Sequence, residues 1–293
     1  MKNDGRDLLV VEFDRNDETG GTLRYADQGC WTSRNASTMH MLIEALQPIK
    51  EKKMLRSFKM EIYTGCNPPY NTPFACCKRD DNDIITTIPD AFFWNWPEIG
   101  ILDYPSLVQQ MIRASVVPPT SDKLFWIGDL SAHPTRHDLI RLAHGRADIQ
   151  AEAMTWKSRM DALGGRIAPT ETKLNDTGNF YSLPEHCQFK YLLDMTGQGY
   201  SGRLKILLFS GRPVFIQNRP DKEYFHNWLV PFEHYIPVEE SLGDLIEKLE
   251  WARSHEEECQ RIGAAAQSFA LQHLTRDSAI KYLRGVLLEK FHV

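Results

Sequence analysis

Two short segments of this sequence carry the residue types needed to hold a phosphate. The first is Gly128-Asp-Leu-Ser131 followed by Pro134-Thr-Arg136, placed directly after an apolar run. A strand that ends in small residues and passes into a helix exposes backbone N–H groups, and the helix start favours anions. Arg136 in that first turn opposes the helix dipole. It therefore needs a partner, either a bound phosphate or a carboxylate such as Asp138. The second segment is Gly197-Gln-Gly-Tyr-Ser-Gly202, followed by Arg203 and Lys205. Its glycines at 197, 199 and 202 match GxGxxG, which alone is a weak signal, and here it does not follow the first strand of a domain. A dinucleotide fingerprint is therefore not expected. Glycines that admit a phosphate beside two cations remain one reading, and an ordinary loop is the other.

Three further constellations ask for a decision. Asp81-Asn-Asp83, inside Asp80–Asp83, has the DxD form that can hold a divalent cation. Short acidic runs are usually solvated, and that reading is preferred. The run Phe92-Phe-Trp-Asn-Trp96 offers faces that stack on sugar rings. Core packing is expected for Phe92 and Phe93, and Trp94 and Trp96 are left open. His186 and Cys187 are adjacent, so they do not readily face one another, and packing is expected of both. The six cysteines include the vicinal pair Cys76-Cys77 but no CxxC set that would bind zinc. Free thiols are expected of them, including Cys30.

The elements around these residues alternate. Strands are expected at Leu8–Phe13, Phe58–Tyr63, Ile84–Ile88, Lys123–Ile127, Asp148–Thr155, Pro213–Gln217 and Ile236–Val238, with one entering His186–Leu193. Helices are expected over Ser37–Leu55 with Ser37 or Thr38 as cap, Tyr104–Ser115, Pro134–Gly145 and Arg203–Ser210. From Ser241 to Phe291 nearly all is helix, with capping boxes at Ser241/Asp244 and Ser254/Glu257. Gly65–Asp83 is too long for a plain connection. Val116-Val-Pro-Pro-Thr-Ser121 reads as a linker, so two α/β domains are expected with a ligand between them.

The 293 residues carry a net charge of −5 and are 42% hydrophobic, a soluble composition without a global basic field. Nucleic acid is not expected as a partner. Leu8–Val11 is too short for a signal peptide core, and no run reaches a membrane span. A cytoplasmic location is the expectation.

Taken together, several segments resemble glycosyltransferase family 90, which includes protein O-glucosyltransferases, capsule-associated xylosyltransferases and lipopolysaccharide-modifying transferases. They are Ile88–Glu98, Phe125–Arg136, Glu185–Lys205, Phe209–Gly211, Pro220–Phe225 and Leu229–Val238. The resemblance implies an α/β GT-B fold of two Rossmann-like domains, with an acceptor-side domain over 1–117, a UDP-sugar domain over 118–275 and a helix over 276–293 returning to the first. It implies inverting transfer of glucose or xylose from a UDP-sugar, without a cofactor or metal, to a glycan, lipid-linked glycan or glycoprotein. Arg136 and Arg203 would bind the diphosphate. Gly128, Ser131, Gly199, Tyr200 and Ser201 would complete the donor site, and Glu223 would touch the ribose. Trp94 and Trp96 would face the acceptor. Two departures stand out. Trp126-Ile127-Gly128 lacks an Arg that the family usually has before the Gly. The family's catalytic carboxylate after the strand ending at Tyr63 corresponds to Asn67, which cannot act as a base. Asp80, Asp81, Asp129 and Asp14 are the alternatives. Two other readings follow: a metal-dependent transferase using Asp81 and Asp83, or a non-catalytic UDP-sugar or glycan-binding module.

Overall fold

The computed structural model describes residues 7–16, 22–27, 32–50, 53–97, 100–154 and 181–293. Cys30, expected as a free thiol, lies outside them.

The first sheet is built from β1 (Leu8–Asp14), β2 (Thr22–Asp27), β3 (Phe58–Tyr63), β4 (Phe74–Ala75) and β6 (Thr86–Thr87), in the order β2-β1-β3-β4-β6. Helix α1 (Thr32–Lys50) lies between β2 and β3 in the chain. In β1, Leu9, Val11 and Phe13 alternate inward, as a half-buried strand requires. Met39, Leu42, Ala45, Leu46 and Ile49 give α1 its apolar stripe against the same core. The sheet is mixed. β3, β4 and β6 run parallel, and β1 runs against both β2 and β3. β5 (Lys78–Arg79) stands apart, paired with a strand of the second half.

After α2 (Tyr104–Ser115) comes the second sheet: β7 (Ser121–Asp129), α3 (Thr135–Ala143), β8 (Ile149–Met154), β9 (Phe189–Asp194), α4 (Leu204–Leu207) and β10 (Val214–Gln217). It continues through β11 (Asp221–Lys222), the partner of β5, to β12 (Ile236–Val238). Its order is β12-β10-β9-β7-β8 with every pair parallel. The expected α/β class with two facing sheets is what the chain adopts. The Rossmann-like pattern is complete in the second sheet and covers three parallel strands of the first.

Three helices close the chain: α5 (Leu245–Ser254), α6 (Glu256–His273) and α7 (Arg276–Phe291). α6 packs on the turn at Leu208–Ser210, where Gln267 donates to the Phe209 carbonyl at 2.7 Å. α7 returns to the first sheet. Phe291 stacks on Phe58 at 4.1 Å, and Arg284 donates to the Ala45 carbonyl of α1. No described helix is long and apolar enough to cross a membrane.

Several caps differ from expectation. α1 begins at Thr32, so Ser37 and Thr38 lie inside it. Ser37 bonds to Asn95, and Thr38 bonds back to the Arg34 carbonyl. Asp244 accepts from the Glu239 N–H instead of closing a box with Ser241. Ser254 ends α5, bonding back to Glu250 and Trp251, and leaves no box with Glu257. The side-chain cap in this region is Thr275, which accepts from the Ser278 N–H at the start of α7.

Candidate active site

A parallel sheet in this order changes winding direction between β7 and β9, and the crevice outside the strand C-termini at that point is where ligands bind. Both expected phosphate segments open there. β7 ends at Asp129 and leads to Arg136, and β9 ends at Asp194 and leads to Arg203.

Arg136 does not pair with Asp138, which holds Arg141 instead. Its Nε donates to the Thr196 carbonyl at 2.9 Å and its Nη1 to the Asp129 carbonyl at 2.7 Å, so it spans both loops. Its guanidinium lies over the Trp126 ring at 5.5 Å, and that of Arg203 lies over the same ring at 5.7 Å. Arg203 also donates to the Ile127 carbonyl. Gly128 permits this packing, because a Cβ there would meet Trp126 at 2.6 Å and the Arg136 Nη1 at 3.3 Å. Asp194, fully buried, accepts from Ser201 at 2.6 Å and from the Nη2 of Arg219, and lies 4.0 Å from Arg203. Arg219 is itself buried, and its Nε and Nη1 find no hydrogen-bond partner among the described residues.

Three guanidiniums thus crowd one buried carboxylate, with Asp129 nearby. Burial, then the charge of Arg203, pulls Arg136 down to about 10. Burial also pulls Arg203 down, against the attraction of Asp194. Cations held this close to one another favour an added anion. Among the described residues, no backbone hydrogen bond takes up the N–H groups from Gly197 to Arg203. Gly197, Gln198, Gly202 and Arg203 of this stretch are not buried and face oxygen acceptors most openly.

The other expected donor residues are placed differently. Ser131 is exposed, and its N–H and hydroxyl are both given to Asp129. The Ser201 hydroxyl is used by Asp194. The Tyr200 hydroxyl donates to Asp90 at 2.8 Å and accepts from Arg34 at 3.2 Å. Lys205, expected to serve the phosphate, is instead buried between Asp90 at 3.1 Å and Glu223 at 2.7 Å. Glu223 is turned inward onto Lys205 and is 3% exposed, so it is not open to a ribose in this arrangement. Burial, opposed by Lys205 and reinforced by Asp90, holds Glu223 well above the usual carboxylate range. Burial lowers Lys205, and Asp90 with Glu223 more than offsets it.

This network joins the two sheets. Arg34 and Asp90 come from the first half, and Tyr200, Lys205 and Glu223 from the second. Gly199 completes the junction: a Cβ there would overlap the Cys66 carbonyl, and the Cα of Asn67 lies alongside. The exposed Asn67 therefore stands where the first sheet's loops meet the glycine loop. Trp94 stacks on His40 and lies under Arg276, while Trp96 lies under Arg34. Both are half-buried against the core. Asp81 pairs with Arg79 and Asp83 with Lys78, their side chains largely exposed. No cluster of three metal-ligating groups occurs among the described residues. His186 bonds to the Ser182 carbonyl and packs edge-on to Phe125, and burial pushes the Cys187 thiol up to about 11. The five described cysteines are free.

Sequence reasoning missed Asp90, Arg34, Asp194 and Arg219. Asp90 had one local signal, its place before Ala91–Phe93, where it caps the turn by accepting from the Phe92 N–H.

A sequence profile of glycosyl transferase family 90 matches residues 55–291. The chain belongs to glycosyl transferase family 90. Among family 90 relatives, it is 28% identical over 285 residues to Protein O-glucosyltransferase 1 of Bos taurus, covering 90% of this chain and 69% of that protein. To Protein O-glucosyltransferase 2 of Danio rerio it is 28% identical over 210 residues, covering 71% of this chain and 40% of that protein. The chain thus spans only part of the relatives it matches. Among solved structures, Anabaena HepE in complex with UDP-glucose aligns with a TM-score of 0.43 at 13% identity, over 71% of this chain and 58% of that one.

Proposed function

We propose that this family 90 chain is an inverting, metal-independent transferase that moves glucose or xylose from a UDP-sugar to a hydroxyl of a glycan or glycoconjugate. The observation that carries this reading is the pair Arg136 and Arg203, set over Trp126 at the switch point of a parallel sheet. The acceptor oxygen attacks the anomeric carbon, and the bond from that carbon to the diphosphate oxygen breaks. UDP leaves with the electron pair. Two cations already fixed by the protein meet the growing negative charge, with little reorganisation needed as it forms. The first sheet supplies the facing wall through Cys66 and Asn67.

The test is a donor-hydrolysis and transfer screen across UDP-glucose, UDP-xylose, UDP-galactose and UDP-glucuronate, run with and without EDTA. Turnover of UDP-glucose or UDP-xylose that survives EDTA is expected. Turnover abolished by EDTA would favour the metal-dependent alternative at Asp81 and Asp83. Asn67 favours a second reading, a non-catalytic module, and UDP binding without hydrolysis or transfer to any acceptor would establish that instead.

A further inference from the structure

Inversion makes a geometric demand. With the leaving diphosphate on the Arg136 and Arg203 wall, the attacking hydroxyl must approach from the opposite wall, and so must the group that takes its proton. That wall is the edge of the first sheet, and the position after β3 is an amide, Asn67.

The mixed topology brings a different residue to this edge. β3, β4 and β6 are parallel and deliver their C-terminal ends there. β1 runs against them, so its two ends are exchanged. Asp14, at its C-terminal end, sits at the far edge opposite Thr22, bonded to Ser57 and Asn16. The residue before β1, Asp7, arrives at the near edge instead. Its carbonyl accepts from the Thr64 N–H at 2.9 Å, immediately after β3. The Tyr63 hydroxyl donates to the Asp7 Oδ2 at 3.4 Å, and a Cβ on Gly65 would lie 2.7 Å from the same oxygen. Cys66, the next residue, touches Gly199. A carboxylate therefore stands beside the short segment Gly65–Asn67, where the two walls meet.

Five other carboxylates near the crevice are placed differently. Asp90 shares this edge but is 4% exposed and holds Tyr200 and Lys205. Asp80, Asp81 and Asp83 lie in the turn after β5 and pair with Lys222, Arg79 and Lys78. Asp129 lies on the diphosphate wall itself and accepts both bonds from Ser131.

We infer that Asp7 is the general base of the transfer, an inference that rests on the transferase reading above. Its carboxylate takes the acceptor hydroxyl's proton as that oxygen bonds to the anomeric carbon and UDP departs. Tyr63 orients the carboxylate through its own hydroxyl.

Asp7→Asn and Asp7→Ala, prepared in the full chain, test this with transfer kinetics and UDP calorimetry. In both variants kcat should fall by about 10²–10⁴-fold. UDP affinity and the KM for the donor should stay within about twofold. Formate, a small carboxylate that fits the vacated space, should restore turnover to Asp7→Ala and not to Asp7→Asn. An Asp7→Asn enzyme within about threefold of the unmodified kcat overturns the assignment. So does a loss of UDP affinity that parallels the loss of kcat, which would mark a structural role. Failure of the transferase reading would look different, since the unmodified chain would then bind UDP and turn nothing over.

Discussion

The two sheets meet charge in opposite ways. On the second sheet, Arg136, Arg203 and Arg219 gather around Asp194 and leave buried donors of Arg219 unmet. On the seam between the sheets, Lys205 is matched by Asp90 and Glu223, and Tyr200 is held from both sides by Asp90 and Arg34. Each cation in the seam has a protein partner, and the Glu223 carboxylate is held by its ion pair with Lys205 alone among the described residues, whereas the crevice holds more cation than its carboxylates balance. Unmatched charge marks where a ligand belongs, and matched charge marks where the chain is fastened to itself. Sequence spacing alone does not separate the two. Arg203 and Lys205 are two residues apart and serve opposite purposes.

The contrast can be broken from the seam first. Lys205→Met leaves two acidic groups buried without their cation and should cost about 3–5 kcal/mol of unfolding free energy in urea. A cost under about 1 kcal/mol would mean that the seam is not a fastening. Arg203→Ala should act on the crevice instead, weakening UDP binding in calorimetry by about 1.5–3 kcal/mol, as expected for a charge-assisted contact. Unchanged affinity in a folded variant would remove Arg203 from the ligand site. Gly199→Ala forces a carbon against the Cys66 carbonyl and should destabilise the fold by about 1–3 kcal/mol, read as a lower unfolding midpoint.

The last effect is read as a slope against pH. Burial, with Arg203 adding to it, holds His186 down at about 3. The unfolded chain takes up this proton near 6.5. Between those values the unfolded state binds more protons, so stability falls as pH falls. His186→Gln should flatten the dependence of the urea midpoint on pH between 4 and 6. An unchanged slope would show that His186 is protonated in the folded chain.

The parallel sheet was legible because β10 and the later part of β7 are apolar runs bounded by turn residues. α2 was legible to the residue, because Asp103 caps it and Pro105 sits in its first turn. The crevice followed from the same local signals. The seam was not legible, because its bonds join residues 110 to 166 positions apart and nothing near Lys205 announces Asp90. The first sheet was legible only in part, for a related reason. β4 and β5 have two residues each, too few to show a period, and the direction of β1 is set by its partners. Asp14 was accordingly considered as a base and Asp7 was not.

The return of α7 bears on how the molecule is made. Phe291, which stacks on Phe58 and whose carbonyl accepts from the Arg56 N–H, follows the whole second sheet in the chain. The Val293 N–H reaches back to the Met54 carbonyl. During synthesis the strands from β7 to β12 and helices α5 and α6 all emerge before that phenylalanine does. The half translated first must therefore wait with part of its core uncovered while the later half can close, so the order of translation and the order of completion run in opposite directions.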